Sequence, residues 1–332
     1  MSSAVLFEHP GPPSVLQLRE VAPLRPRDHE VVIAVEAAGV NNADLLQRRG
    51  VYPVPPGAPR PLGLECAGSI TAVGSTVTGW SVGEQVCALV DGGGYADEVA
   101  VPATQLMRIP DRLNVIEAAA FPEVACTVYS NLAMIAGLKS GETVLIHGAG
   151  GGIGTFAIQW ANAIGARVIT TAGSDAKVQA GIGLGAAVGI NYRQEDFVDA
   201  TLKATDQRGV DAILDVVGAD YLARNVECLA PDGHLVIIGG SVAPALLDIG
   251  ALMSKRASVS ATMLRARPAE QKAAIVNGVT REVLPLFASG AIRVVIDTVV
   301  PLHEAARAHE LLESKQTVGK IILDNRDAVT GS

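Results

Sequence analysis

Cysteine is scarce in this chain and never paired in spacing. Cys66, Cys87, Cys126 and Cys228 are scattered over 332 residues without a CxxC pair. That pattern argues against a disulfide framework and against a structural zinc site, and it fits a reducing, cytoplasmic compartment. Basic residues are also in short supply: 26 Lys and Arg against 34 Asp and Glu give a net charge of −8. Phosphate backbones are bound by clustered Lys and Arg, so no nucleic-acid partner is expected, and the pair Arg265 and Arg267 is too small to change this. Long apolar runs are missing as well. Each is broken by Gly, Pro or charge well short of a membrane span, so no membrane partner is expected. The segment from Met1 to Pro10 contains Glu8 and lacks both a basic start and an apolar run, so no signal peptide is expected.

Apolar residues are plentiful, at 49% against 18% charged, and the length exceeds what one core usually organises. Two domains are therefore expected. The first third reads as short strands between Gly and Pro turns: Val31 to Val35, then Gly68 to Val73, with Gly79, Gly83 and Gly92 to Gly94 beyond. This suggests a barrel-like or sandwich-like unit. The Pro-rich segment Tyr52 to Pro61 reads as a stiff surface loop. The middle alternates strands and helices. Strands are expected at Thr143 to His147, Arg167 to Thr171, Val188 to Asn191, Ala212 to Val216 and Leu235 to Ile238. Helices are expected at Thr155 to Ile164, Phe197 to Ala204 and Tyr221 to Leu229. Apolar strands separated by helices make a parallel sheet covered on both faces, wound doubly by right-handed crossovers. One long helix, Ala269 to Ala288, follows. The tail returns to β character near Ile292 to Val300, adds a helix from Leu302 to Leu312, and ends in a strand from Lys320 to Leu323 that is expected to rejoin the first domain.

The strongest local signal runs from Val144 to Gly154. A strand enters a glycine turn and a helix leaves it. Ala149, Gly151 and Gly154 occupy the three small positions of a dinucleotide fingerprint, with Gly150, Gly152 and Ile153 between and beside them. The first permits the tight turn, the second lets backbone approach a pyrophosphate, and the third lets helix pack on strand. Phosphate would then meet free amides and the positive end of the helix dipole. The second strand ends at Thr170-Thr-Ala-Gly-Ser174 without the acid that usually holds a ribose 2′-hydroxyl. Asp175 lies slightly beyond. Gly173 and Ser174 leave room for a 2′-phosphate, Lys177 supplies charge, and Tyr192 covers adenine or donates to the phosphate. NADPH is the expected cofactor. The turns Val217-Gly218 and Gly239-Gly240-Ser241 end later strands and are expected under the nicotinamide half.

Three further segments complete an ordered set: Asn41-Asn-Ala-Asp-Leu-Leu-Gln-Arg-Arg-Gly-Val-Tyr52, Gly63-Leu-Glu-Cys-Ala-Gly68 and Val318-Gly-Lys-Ile-Ile-Leu323. With Pro55-Pro-Gly57, the glycine turn and Asn191-Tyr192, the set resembles the quinone oxidoreductases of the medium-chain dehydrogenase/reductase superfamily. It is most similar to the tumour-suppressor-inducible branch, a relative of zeta-crystallin. The resemblance implies an α/β fold in which a Rossmann doubly wound parallel sheet joins a GroES-like β-barrel catalytic domain across a deep cleft. On that basis residues 1–122 and 292–332 form the catalytic domain and 123–291 the Rossmann domain. It also implies NADPH binding and quinone reduction, with Tyr52, Asn41 and Asp44 lining the active site. Tyr52 has a phenol to donate and a ring to stack, Asn41 an amide to donate, and Asp44 orients neighbours. Thr127 is expected at the nicotinamide amide, Met263, Leu264 and Arg265 beside the nicotinamide, and Lys320 beside the adenosine phosphate.

Zinc-dependent relatives carry His directly before the Glu that here is Glu65, and a thiolate in the loop that here is Asn41 to Asp44. This chain has Leu64 and no cysteine there, so no metal is expected. An enone or enoyl reductase is the first alternative, because Tyr52 offers a proton. A non-enzymatic crystallin-like or RNA-binding dinucleotide protein is the second. The strand Val259 to Thr262 reads as a sheet edge that pairs across a two-fold axis, so a homodimer is expected.

Overall fold

The computed structural model describes residues 2–327. The chain opens with β1 (Ser2–Leu6) and β2 (Gln17–Val21), an antiparallel pair. The long, mostly buried β3 (Glu30–Val40) leads into α1 (Asn42–Arg48). Asn41 caps this helix at its start, its backbone N–H donating to Asp44 Oδ2 at 2.8 Å. Then come β4 (Glu65–Val73), β5 (Gln85–Leu89), β6 (Glu98–Pro102), β7 (Leu106–Arg108), α2 (Val115–Ala118) and α3 (Pro122–Val128).

A π-helical stretch, Tyr129–Ile135, precedes the second group of elements. These are β8 (Thr143–His147), α4 (Gly152–Ala163), β9 (Arg167–Ala172), α5 (Asp175–Gly183), β10 (Val188–Asn191) and α6 (Phe197–Ala204). They continue as β11 (Val210–Asp215), α7 (Leu222–Cys228), β12 (Leu229–Ile237), α8 (Ile249–Lys255) and β13 (Ser258–Ala261). Their six strands form one parallel sheet in the order β10-β9-β8-β11-β12-β13. Counted by appearance this is 3-2-1-4-5-6, the Rossmann order, and it reverses direction between β8 and β11. Ligands of such sheets lie at the carboxyl ends of the strands flanking that reversal. Leu145, Ile169, Ile190, Ile213 and Leu235, one from each of five strands, build its core.

The tail adds α9 (Ala269–Glu282), α10 (Leu284–Ser289), β14 (Ile296–Pro301), α11 (Ala305–Glu313) and β15 (Lys320–Asp324). The single helix expected from Ala269 to Ala288 is thus two. Pro285 has no N–H to continue the ladder, and it fits the first turn of a new helix instead. A seven-stranded sheet in the order β14-β15-β3-β4-β5-β7, with β6 also on β3, organises the other unit. Only the β14–β15 pair in it is parallel.

Two compact units result. Unit 1 comprises residues up to 126, 265–289 and 294 onward; unit 2 comprises 127–264 and 290–293. The tail rejoins unit 1 as expected, through β15 on β3. The stretch 265–289, however, was expected with the Rossmann sheet and lies in unit 1. Tertiary contacts decide this. Arg265 and Lys272 bond to Asp91, and the Phe287 ring packs 4.9 Å from that of Phe121.

Candidate functional site

In unit 1, strand register gathers four polar groups that sequence separation hides. Ile321 of β15 lies opposite Val40 of β3, which sets Lys320 beside Asn41. Ala38 of β3 lies opposite Cys66 of β4, which sets Glu65 beside Gly39. A Cβ at Gly39 would stand 2.2 Å from Glu65 Oε1, so only glycine lets the carboxylate cross the strand. Lys320 Nζ donates to Glu65 Oε1 at 2.5 Å and to Asn41 Oδ1 at 2.6 Å. Asn41 Nδ2 donates to Glu65 Oε1 at 2.8 Å, and the Glu123 backbone N–H donates to Oε2 at 2.9 Å. Asp44 lies beneath. It accepts from the backbone of Asn41 and of Gly63 and from the Tyr95 hydroxyl. Burial raises its pKa to about 6 against the pull of those donors and of Lys320. Behind Tyr95 the chain of bonds continues to His309 and Arg48. Arg48 can only donate, so His309 Nδ1 accepts and Nε2–H faces Tyr95.

Tyr52 belongs to a neighbouring cluster of the same unit. Its ring stands 5.8 Å from the Arg265 guanidinium carbon. Arg265 Nε donates to the Asp91 carbonyl at 2.9 Å and Nη1 to Gln47 Oε1 at 2.6 Å, while Lys272 Nζ pairs with the Asp91 carboxylate at 2.5 Å. Burial, reinforced by Glu123, pushes the Tyr52 phenol up to about 12 and outweighs the opposing pull of Arg265. The phenol therefore stays protonated throughout the neutral range.

In unit 2, β8 runs into the glycine turn and α4 leaves it. Gly148 adopts φ +86, and the Ala149 N–H donates to the Thr171 carbonyl at 2.9 Å, which closes the turn. A Cβ at Gly154 would stand 2.1 Å from the Gly148 carbonyl oxygen, so glycine is required where helix meets turn. Gly151 differs. The nearest atom to a Cβ there is 3.7 Å away, which leaves the space in front of the helix clear. Thr155 makes the first helical bond, to Gly151, so the amides of Gly152, Ile153 and Gly154 point out of the helix end. Lys177 passes over Gly150, its Cδ 2.7 Å from where a Cβ would sit. Ser174 caps α5 by accepting from the Lys177 N–H. The Tyr192 hydroxyl and the Arg193 Nε approach Gly173, at 2.4 and 3.3 Å from where a Cβ would stand. The Asp175 carboxylate is turned to Asn191 Nδ2 at 2.6 Å and Gln194 Nε2 at 3.2 Å, which hold its pKa down. The two later turns interlock: Ser241 N–H donates to the Val217 carbonyl at 2.8 Å, and a Cβ on Gly240 would collide with Val217. Nothing lies within 4 Å of a Cβ at Gly239. Asp215 ties the Val217 and Gly218 amides, and burial raises its pKa to about 6. The Thr127 carbonyl accepts from Ser130 and Asn131.

Two family descriptions match the chain: an alcohol dehydrogenase GroES-like domain over residues 27–111 and a zinc-binding dehydrogenase over 184–323. The quinone oxidoreductase of Pseudomonas aeruginosa is 34% identical over 326 residues, 97% of this chain and 99% of that one. Among solved structures, Escherichia coli quinone oxidoreductase complexed with NADPH superposes with a TM-score of 0.86 at 34% identity, over 97% of this chain and 100% of that one. This chain belongs to the medium-chain dehydrogenase/reductase superfamily, among its quinone oxidoreductase-like members. It is an oxidoreductase with a Rossmann unit and a GroES-like unit. A phenolphthiocerol/phthiocerol polyketide synthase component of Mycobacterium tuberculosis is 36% identical over 322 residues, but the chain spans only 14% of that protein's length.

Zinc, named by one of the matched families, does not suit these residues. Leu64 is buried and apolar, and both Glu65 oxygens accept from nitrogen donors, one of them an ammonium. Cys66 next to it has its thiol pushed up to about 12 by burial and by Glu65, so it is no ready ligand. Among the described residues no group of three or more His, Cys, Asp or Glu is arranged to hold a metal ion. A dinucleotide is different: a clear helix N-terminus at Gly151 is the cradle that a pyrophosphate fits.

Asn41 and Asp44 stand together, whereas Tyr52 stands with Arg265. The Arg265 guanidinium is buried in unit 1 and bonded to the Asp91 carbonyl and Gln47. The buried Lys320 ammonium is held by Glu65 and Asn41. Met263 is exposed and Leu264 half-buried at the end of β13, in unit 2. Sequence reasoning missed Arg193; the cation directly after Asn191-Tyr192 was the available signal. No helix among the described residues is long and apolar enough to cross a membrane.

Proposed function

We propose that this enzyme transfers hydride from NADPH to quinones without a metal ion, in the manner of the tumour-suppressor-inducible branch of its family. The observation that carries the reading is the basic, acid-poor ring around Gly173. Tyr192 and Arg193 approach Gly173, Ser174 follows it and Lys177 passes over Gly150 of the neighbouring turn, while the Asp175 carboxylate is engaged by Asn191 and Gln194. A ribose 2′-phosphate is the ligand that suits such a ring. The amides of Gly152, Ile153 and Gly154 hold the pyrophosphate, approached over Gly151. Thr127, Gly218, Gly239, Ser241, Met263 and Leu264 border the nicotinamide half.

NADPH, when bound, supplies the hydride, and a quinone that takes up this hydride and a proton leaves as the hydroquinone. The chain's own part is orientation. Asn41 and Tyr52 donate to the acceptor oxygen on which negative charge develops, and Asp44 keeps Asn41 in place. A quinone spreads that charge over its ring, so little acid catalysis is needed.

A second reading, enone or enoyl reduction, is favoured by two observations. Tyr52 remains protonated, so it can give a proton to a carbon next to the hydride acceptor. The mycobacterial polyketide synthase component is also a relative in sequence. NADPH oxidation with a panel of quinones and conjugated enones separates the readings. We expect quinones to turn over faster, NADPH to exceed NADH by at least about tenfold, and a chelator to change nothing. Loss of activity with chelator, or faster turnover of enones, contradicts the proposal. Salt-dependent RNA binding without NADPH oxidation supports a non-enzymatic role instead.

The enzyme is further proposed to be a cytoplasmic homodimer. The edge strand β13 and the exposed Val242, Leu246 and Met253 supply the self-pairing surface. A monomer by light scattering contradicts this.

A further inference from the structure

We infer that Lys320 is a positioning residue that locks the Asn41 carboxamide, so that a fixed N–H faces the acceptor oxygen. The inference rests on the reading of Asn41 as an acceptor-binding donor. Its basis is a closed ring of three bonds. Lys320 Nζ donates to Asn41 Oδ1 at 2.6 Å and to Glu65 Oε1 at 2.5 Å, and Asn41 Nδ2 donates to the same Glu65 oxygen at 2.8 Å. An ammonium can only donate and a carboxylate can only accept. The amide between them therefore has one possible orientation, oxygen toward Lys320 and nitrogen toward Glu65. One of its two N–H bonds is held by Glu65, and the other projects from the ring.

Every neighbour reinforces the lock. Asn41, Glu65 and Lys320 are 8, 0 and 5% exposed, so water does not compete inside the ring. The Asn41 main chain is fixed as well, by its N–H on Asp44 Oδ2 at 2.8 Å and by the Asp44 N–H on its carbonyl at 3.0 Å. Glu65 is anchored through its other oxygen by the Glu123 N–H at 2.9 Å. Two β-strand positions, Glu65 of β4 and Lys320 of β15, thus converge on one amide. Without the ammonium the amide keeps only its single bond to Glu65, so it can rock about that bond and its outward N–H is no longer held toward one point. With Glu65→Gln added, both amide orientations become possible, and one of them presents a carbonyl oxygen to an acceptor oxygen that gains negative charge, a repulsive contact.

A role confined to the Asn41 amide has a kinetic signature of its own. Removing the ammonium is expected to lower kcat while leaving NADPH affinity alone. Loss of a whole oxyanion donor costs about 100-fold or more in kcat, so loss of its orientation alone is expected to cost about tenfold.

The test uses the full-length chain as Lys320→Met, Lys320→Arg, Asn41→Ala and Asn41→Ala/Lys320→Met. Glu65→Gln/Lys320→Met is added because it leaves no buried unpaired carboxylate and so folds even where Lys320→Met does not. Three quantities are read: NADPH Kd by fluorescence titration, kcat with a quinone, and the side-chain amide resonances of Asn41 by nitrogen-15 NMR. We expect kcat to fall about tenfold in Lys320→Met and in the Glu65→Gln/Lys320→Met pair, and to recover in Lys320→Arg. NADPH Kd should stay within about twofold. Asn41→Ala should make the Lys320 change silent, as for two residues acting as one unit. The Asn41 Nδ2–H bonded to Glu65 should resonate downfield and exchange slowly with solvent in the unaltered chain, and should shift and exchange faster in both variants that lack the ammonium. Independent, multiplying losses in the double variant overturn the inference, as does an unchanged Asn41 amide signal or a tenfold weaker NADPH Kd in Lys320→Met. If the unaltered enzyme reduces no quinone, the functional reading fails while the NMR comparison still decides whether Lys320 locks the amide.

Discussion

Two glycines of the same turn carry opposite demands, and a single methyl group tells them apart. At Gly154 an added Cβ meets the Gly148 carbonyl oxygen at 2.1 Å, so Gly154→Ala forces helix and turn apart. Overpacking of this kind costs about 1–3 kcal/mol, and urea denaturation should show it. At Gly151 an added Cβ has clear space and ordinary backbone, at φ −80. Gly151→Ala should leave the denaturation midpoint unchanged yet weaken NADPH by about tenfold or more, because the methyl occupies the pyrophosphate's approach. The cations around Gly173 allow a complementary comparison. Lys177→Ala and Arg193→Ala should each raise the KM for NADPH about tenfold, roughly one charge-assisted bond, and leave the KM for NADH nearly unchanged. Equal effects on the two cofactors would remove the 2′-phosphate from the account.

At the scale of elements, the readable features were those encoded within a few residues. The glycine turn between β8 and α4, the Ser174 cap of α5 and the alternation of apolar strands all state themselves locally. What was hidden depends on tertiary pairing. Nothing near Lys320 in sequence announces Asn41 or Glu65; the register of β15 on β3 brings them together. Arg265 and Lys272 find Asp91 across more than 170 residues, and those bonds move 265–289 out of the Rossmann unit. Pro285, by contrast, was a legible stop inside the stretch expected as one helix. Arg265→Met should leave the Asp91 carbonyl and Gln47 Oε1 without a donor in a buried place. The expected loss is about 2–4 kcal/mol of stability in urea, with NADPH affinity unchanged. Retained stability with weakened NADPH would instead mark Arg265 as a cofactor contact.

For the molecule as a whole, buried titratable groups set the response to acid. Burial lowers His147 to about 4 and His309 to about 3, the latter helped by Arg48. The unfolded chain therefore takes up these protons first as pH falls through 6.5, and the folded state loses stability below that value. Asp44 and Asp215 oppose this. Each is raised to about 6, so the folded chain binds their protons first and regains stability between about 6 and 4. The histidine shifts are larger and begin at higher pH. The balance should be a net loss on the order of 1–2 kcal/mol between pH 7 and 4, read as a falling urea midpoint. His147→Gln should flatten the acid limb, and an unchanged slope would contradict the assignment of a buried neutral His147. The central claim is that a 2′-phosphorylated dinucleotide docks on the helix end at Gly151 and feeds a metal-free reduction. Its most direct measurement is the rate of NADPH consumption with a naphthoquinone after exhaustive chelation, with the Gly151→Ala enzyme alongside. Full activity of the chelated enzyme, lost with the added methyl, is the predicted result; an enzyme silenced by chelation, or one indifferent to the methyl, would contradict it.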